Sequence, residues 1–395
     1  MNKQIAFWGD EHVIEAIGHP LGEEESDLRS NIAKTYSKSP GSSMTNQKIG
    51  GSFSPVGTMT TPRTLHTATT LRNGQVLIAG GADRNRLPQK TAELYDPLTG
   101  KLTSTGSMSS DRYAASATIL NNGKVLIVGG VDSSGLATSK SEIYDPVTGL
   151  FSPTNPMTVA RLDASATLLG DGKVLITGGY EGDPAKGKPL ASAEIYNPET
   201  NSFTATDAMQ TSRRNQVATL LNNNDVLISG GYNGEYLNAP EVYNEGRGRF
   251  SATGKMSAVR RYPAAVKLRG GNVLISGGLK NSSGESQESV EIYDTKRNRF
   301  APTANMNTPR GRHTATLLNS GDVLITGGID KSIPLESAEI YTPLQRTFTF
   351  SATGNMQTAR WRHTANLLQD GSVLIAGGEN TEGTLFTCEI YKPWQ

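Results

Sequence analysis

Seven times along this chain a run of small and apolar residues leads through a polar turn into a three-residue apolar block and a glycine pair. The block is always Val-Leu-Ile, from Val76-Leu77-Ile78 to Val373-Leu374-Ile375, and the pair runs from Gly80-Gly81 to Gly377-Gly378. An apolar block this short, unbroken by polar positions, predicts a strand covered on both faces. The run before it, such as His66–Leu71, predicts a partner strand. Between the two stand Asn73-Gly74, Asn122-Gly123, Asp171-Gly172, Gly270-Gly271, Ser320-Gly321 and Asp370-Gly371. Asn-Gly and Asp-Gly predict two-residue hairpin turns with positive φ. A Glu-x-Tyr triplet (Glu93–Tyr95 through Glu389–Tyr391) marks a third strand, and a Leu or Phe (Leu102, Phe151, Phe203, Phe250, Phe300, Phe350) marks a fourth. A period near 50 residues with this layout predicts a ring of β-sheets, because one repeat cannot bury its own faces.

The ends of the repeat predict how the ring closes. The last unit stops after its third strand, and Phe53 precedes Met59 by the spacing at which Leu102 precedes Met108. Ser52–Thr58 is therefore expected to supply the outer strand of the last blade, which removes two sheet edges. The expected organisation is an N-terminal extension, residues 1–50, followed by one all-β ring of seven four-stranded blades, residues 51–395. Within the extension, Asp10–Ile17 and Ser26–Tyr36 carry short helical patterns. Gly41-Ser42-Ser43-Met44 reads either as a natural polar linker or as a junction before an original start at Met44.

Loop lengths are uneven. The step from Met to the first glycine is constant (Met59 to Gly80, Met356 to Gly377), while glycine to Glu ranges from Gly230–Glu241 to Gly178–Glu194. The variable loops join strands two and three, and so emerge on the face where blades connect. They mark either a recognition surface or neutral drift in surface loops.

Composition narrows the partners. The formal charge of +1 favours neither nucleic acid nor an anionic membrane. One cysteine, Cys388, rules out an intrachain disulfide and a cysteine-rich zinc site. No apolar run reaches membrane-spanning length, and Ile5–Trp8 is too short for a signal-peptide core. Compartment stays open between cytosolic and secreted.

Three sets of residues are candidates for chemistry. Each repeat places an Arg (Arg63, Arg112, Arg161, Arg213, Arg260, Arg310, Arg360) and a Glu (Glu93, Glu142, Glu194, Glu241, Glu291, Glu339, Glu389) at matching positions. Such strict repetition is expected of a structural ion pair rather than an anion-gripping ring. His66, His313 and His363 share one register, two residues before an alanine present in every unit. That predicts packed, hydrogen-bonded histidines in preference to metal ligands. The asymmetric residues beside the ring arginines are the stronger ligand-binding candidates: Arg214, Arg261, Arg312 and Arg362, with Trp361, Tyr262 and Tyr113. Arginines among aromatics have the composition of a binding hot spot, and the rings would also suit a sugar; solvated surface arginines are the alternative. Neither a metal nor another cofactor is expected.

The Gly-Gly ends and the aromatic spacing resemble the kelch repeat over residues 51–395. The Arg-x-x-His-Thr-Ala wording (Arg63–Ala68, Arg310–Ala315, Arg360–Ala365) is similar to the bacterial branch and to the propeller of galactose oxidase. The resemblance implies a seven-bladed kelch β-propeller. A copper–radical site of the oxidase type needs a cysteine bonded to a tyrosine and a ligand from a following domain. Cys388 is expected on a third strand and no further domain is expected after Gln395, so that chemistry is disfavoured. The expected function is a non-catalytic, monomeric binding propeller for an acidic protein segment or a glycan. The alternatives are a carbohydrate-active enzyme of sugar oxidase or mutarotase type, with His and Arg as acid–base groups, and a structural surface protein.

Overall fold

A computed structural model describes residues 50–343 and 348–394. The two helical patterns of the extension lie outside the described residues. Within them, seven four-stranded antiparallel sheets form the blades of a propeller, and three two-stranded ribbons decorate the loops. No helix among the described residues is long and apolar enough to cross a membrane.

Blade one shows the common plan. Its strands are Thr67–Thr70, Val76–Ala79, Ala92–Asp96 and Lys101–Ser104, in that spatial order from the channel outward. Inner strands of successive blades neighbour one another around the channel, closing between Thr364–Leu367 and Thr67–Thr70. The Val-Leu-Ile strands are buried along their whole length, as unbroken apolarity demands. They alternate between two clusters: Val76 and Ile78 pack with the preceding blade's Leu374, Leu77 with the following blade's Val125 and Ile127. Tyr144 meets its cross-strand partner Phe151 at a centroid distance of 4.8 Å, a contact repeated in the other blades that carry Tyr and Phe there.

The ring closes through the N-terminal strand. Gly51–Thr58 pairs antiparallel with Thr387–Pro393 and places Phe53 opposite Tyr391, with ring centroids 4.9 Å apart. The inner turns differ from expectation. Leu71 N donates to Gln75 O and Gly74 N to Leu71 O, so the loop is three residues, Arg72-Asn73-Gly74. Only the last has positive φ, the geometry of a turn ending in a bulge rather than a two-residue hairpin. Blade four puts Asn224, φ 68°, where the others have glycine.

The glycine pairs join one blade to the next. Gly179 N donates to Arg213 O at 2.9 Å, and the corresponding bond recurs around the ring to Gly378 N and Arg63 O. A Cβ on Gly178, φ 60°, would lie 2.6 Å from Arg213 O. Both tight packing and positive φ therefore require glycine here.

Candidate ligand site at the channel mouth

The seven ring arginines belong to the framework. Each is buried and salt-bridged to the Glu of its own repeat at 2.7–3.2 Å. Arg260 is typical. Its Nη1 donates to Gly277 O and Ser289 O, and its Nη2 to Ser289 Oγ and Glu291 Oε1. Glu291 Oε2 accepts Ser257 N at 2.8 Å. The guanidinium thus ties together the glycine pair, the loop between strands two and three, and the third strand. It is not available to a ligand.

Two residues after each ring arginine the backbone turns left-handed in every blade: Leu65, Ala114, Asp163, Asn215, Tyr262, Arg312 and Arg362 all have φ between 51° and 58°. Backbone N–H groups there donate to the preceding blade's residue in the same register, as from Tyr262 to Asn215 O and from Arg312 to Tyr262 O. This geometry costs a non-glycine residue on the order of 1 kcal/mol. All seven side chains line one cavity of about 310 Å³ at the channel mouth. The residues one after each ring arginine instead bridge the residue that follows the glycine pair: Arg214 meets Tyr232, Arg261 meets Leu279, and Trp361 meets Glu379. The loops between strands two and three therefore do surround the mouth.

The candidate residues divide between these two registers and mesh. Arg214 lies over Tyr180 (4.0 Å) and Tyr232 (5.5 Å), and Arg261 over Tyr232 (4.6 Å) and Tyr262 (4.9 Å). Arg312 lies over Tyr262 (4.0 Å) and Trp361 (4.7 Å), and Arg362 over Trp361 (4.2 Å). The result is a continuous arc of alternating guanidinium and ring from blade three to blade seven. Tyr113 is not part of it. It bridges Val131 and packs with Ala114, Leu162 and Tyr180 on the apolar side. Burial raises its phenol's pKa.

The charges in the arc are unevenly answered. Arg362 Nη1 pairs with the buried Glu379 at 2.6 Å, and Arg86 reaches the same carboxylate at 3.3 Å. Arg261 Nε donates to Asn215 Oδ1 at 2.9 Å, and Arg214 Nη1 to Pro184 O at 3.4 Å. Arg312 has no ion pair among the described residues, and its buried Nε and Nη1 have no hydrogen-bond acceptor. Burial, with the Arg362 charge beside it, pushes the Arg312 guanidinium down to about 9. It remains charged at neutral pH. Burial pushes the Tyr262 phenol up, but Arg312, Arg261 and Arg362 together pull it below its ordinary value against the opposing influence of Asp163. Arg261 and Arg362 act on both groups in the direction expected where an anion is favoured.

The histidines are framework residues facing the same cavity. His66 Nε2 bonds Thr364 Oγ1 at 3.1 Å, His313 Nε2 bonds Ser276 Oγ at 2.8 Å, and His363 Nε2 bonds Thr326 Oγ1 at 3.0 Å. Burial and then the ring arginines bring His66 and His313 to about 3 and His363 well below its usual range. Held neutral, they are poorly placed for proton transfer near neutral pH. Among the described residues no three His, Cys, Asp or Glu side chains gather as metal ligands. Cys388 is buried on the third strand of blade seven, its thiol raised to about 12 mainly by that burial.

Tyr180, Tyr232, Glu379, Asp163 and Asn215 complete the site and were not among the candidates. Tyr180, Tyr232 and Glu379 each follow a glycine pair, where other blades have Ala82, Val131, Leu279 and Ile329. That asymmetry is legible once the register is aligned.

Comparison with known proteins agrees with this architecture. The Kelch motif family model matches residues 112–158 and 164–210. The chain is a seven-bladed propeller that carries Kelch motifs. Among solved structures, this propeller is similar to a fungal alcohol oxidase of the AA5 family in complex with copper. The two are 18% identical, the match covers 87% of this chain and 76% of that one, and the TM-score is 0.71. At that identity the likeness is one of fold. No curated protein matches this chain.

Proposed function

We propose that this propeller is a non-catalytic binding module whose channel mouth receives a carboxylate of an acidic protein segment. The observation that carries the reading is Arg312: a charged guanidinium with no ion pair among the described residues, and with two buried N–H donors that have no acceptor among them. Desolvated donors without partners cost about 1–3 kcal/mol each, and a carboxylate in the mouth would offset part of that cost through a charge-assisted hydrogen bond to the guanidinium. Arg214 and Arg261 extend the positive arc outward, where further acidic side chains of the same segment would lie.

A glycan is the weaker partner. The rings of Tyr232, Tyr262 and Trp361 each already engage two guanidiniums, which leaves little π-surface for a sugar to stack on. The test is fluorescence anisotropy with a labelled, acetylated and amidated octapeptide of Asp and Glu, beside its Asn/Gln counterpart. The acidic peptide should bind, the neutral one should not, and an Arg214/Arg261/Arg312→Asn variant should lose the binding while keeping its melting curve. Equal binding of both peptides, or of both proteins, overturns the reading.

A further inference from the structure

The mouth cavity carries opposite charges on opposite sides and does not let them meet. On blades six and seven it is lined by Arg312 and Arg362, with Nε and Nη1 of Arg312 and Nε of Arg362 lacking acceptors. On blades three and four it is lined by Asp163 and Gln216, whose Oε1 is buried and lacks a donor. Leu65 and Ala114 form the apolar wall between them. The Asp163 carboxylate accepts one hydrogen bond, from Asn215 Nδ2 at 2.7 Å, and has no ion pair among the described residues. Its charge nevertheless acts on both Tyr262 and Arg312.

A ligand that brought only a carboxylate would satisfy Arg312 while entering the field of Asp163. A ligand with a cation at its other end would answer both. Acceptors of two kinds, a carboxylate and an amide oxygen, are what a primary ammonium with three N–H donors requires. We infer that the channel mouth is a two-ended site for a zwitterion, with a carboxylate on Arg312 and a primary ammonium on Asp163 and Gln216. This rests on the reading of the mouth as a carboxylate site, and it adds Asp163 as the residue that sets specificity. The zwitterion has two possible sources, a free amino acid or the terminal residue of a protein chain.

Glutamate and N-acetylglutamate share their carboxylates and differ in the ammonium. NMR-detected titration of the full chain with each, in the wild type and in Asp163→Asn, separates the two ends. Asn accepts positive φ readily, and its amide oxygen can still receive Asn215 Nδ2, so this variant should fold. Glutamate should bind the wild type about tenfold tighter than N-acetylglutamate, the scale of one charged hydrogen-bonded contact. In Asp163→Asn the two should fall within about twofold of each other, with N-acetylglutamate bound at least as well as before. Glu-Ala-Ala-Ala amide beside its acetylated form identifies the source: the same tenfold ratio assigns a chain end, and a ratio confined to free glutamate assigns a small molecule. Equal wild-type affinities for glutamate and N-acetylglutamate, or an ammonium advantage that survives Asp163→Asn, would overturn the two-ended site. If that happens while Arg312→Asn still abolishes N-acetylglutamate binding, the carboxylate reading stands alone. If neither ligand binds the wild type, both readings fail.

Discussion

Arg310 and Arg312 stand two residues apart in blade six and have opposite circumstances. Arg310 is buried, salt-bridged to Glu339 at 2.8 Å, and bonded to Gly327 O and Ser337 O. Arg312 has no carboxylate partner, sits on strained backbone and lies against Arg362, a like charge. The first is repeated in all seven blades and the second is not. Repetition marks what the ring needs to stand; departure from it marks what the ring can do without, and the proposed site lies there.

The comparison can be broken at either end. The largest effect is expected from removing residues 51–60, which strips the closing strand from blade seven and exposes sheet edges. Loss of Phe53 packing alone should cost about 3–5 kcal/mol, and the whole ring should lose its cooperative transition. A truncation that melts like the full chain would refute closure. Next, Arg310→Ala leaves Glu339 buried without its cation and should cost about 3–5 kcal/mol in denaturant unfolding. Arg260→Ala should cost a similar amount, since the framework treats blades alike; a ring arginine whose removal is harmless would break the division.

The histidines sharpen the comparison through pH. Their folded values lie below the ordinary 6.5, so the unfolded state binds more protons under acid conditions. Their stabilising contribution is full above about pH 6.5 and is lost as pH falls toward 3, by up to about 1.4 kcal/mol per pH unit for each histidine. Replacing His313 with Gln, the residue blade four has at this register in Gln216, should flatten the acid limb of the stability curve. An unchanged slope between pH 6 and pH 4 would contradict the assignment of His313 as a neutral packing residue. The smallest effect is expected at Arg312→Asn. Relief of like charge and of left-handed strain should leave stability unchanged or raise it by about 1 kcal/mol.

Much of this was legible in the sequence, for a physical reason. Strand order, the buried Val-Leu-Ile strands, the Arg–Glu pairs and the closing role of Phe53 all recur at fixed spacing, and each repeat confirms the others. The three-residue turns were misread because Asn-Gly serves two hairpin geometries. The site was only half legible. Arg214, Arg261, Arg312 and Arg362 stood out by asymmetry, but they occupy two registers with different neighbours, and only the ring brings Tyr180 and Tyr232 between them. Tyr113 lies outside the arc of stacked guanidiniums and rings, on the apolar side of the mouth, where Asp163 and Arg362 still act on its phenol. Asp163 did not stand out, because its surroundings depend on blades across the channel.

The division between framework and mouth is tested most directly at one position. Melting curves and acidic-octapeptide titrations should be run on the same samples of wild type and Arg312→Asn. The expected result is an unchanged or higher melting temperature together with at least about tenfold weaker peptide binding, the scale of one lost charged contact. A variant that binds the peptide as well as wild type, or one that loses several kcal/mol of stability, would place Arg312 with the framework and contradict the account.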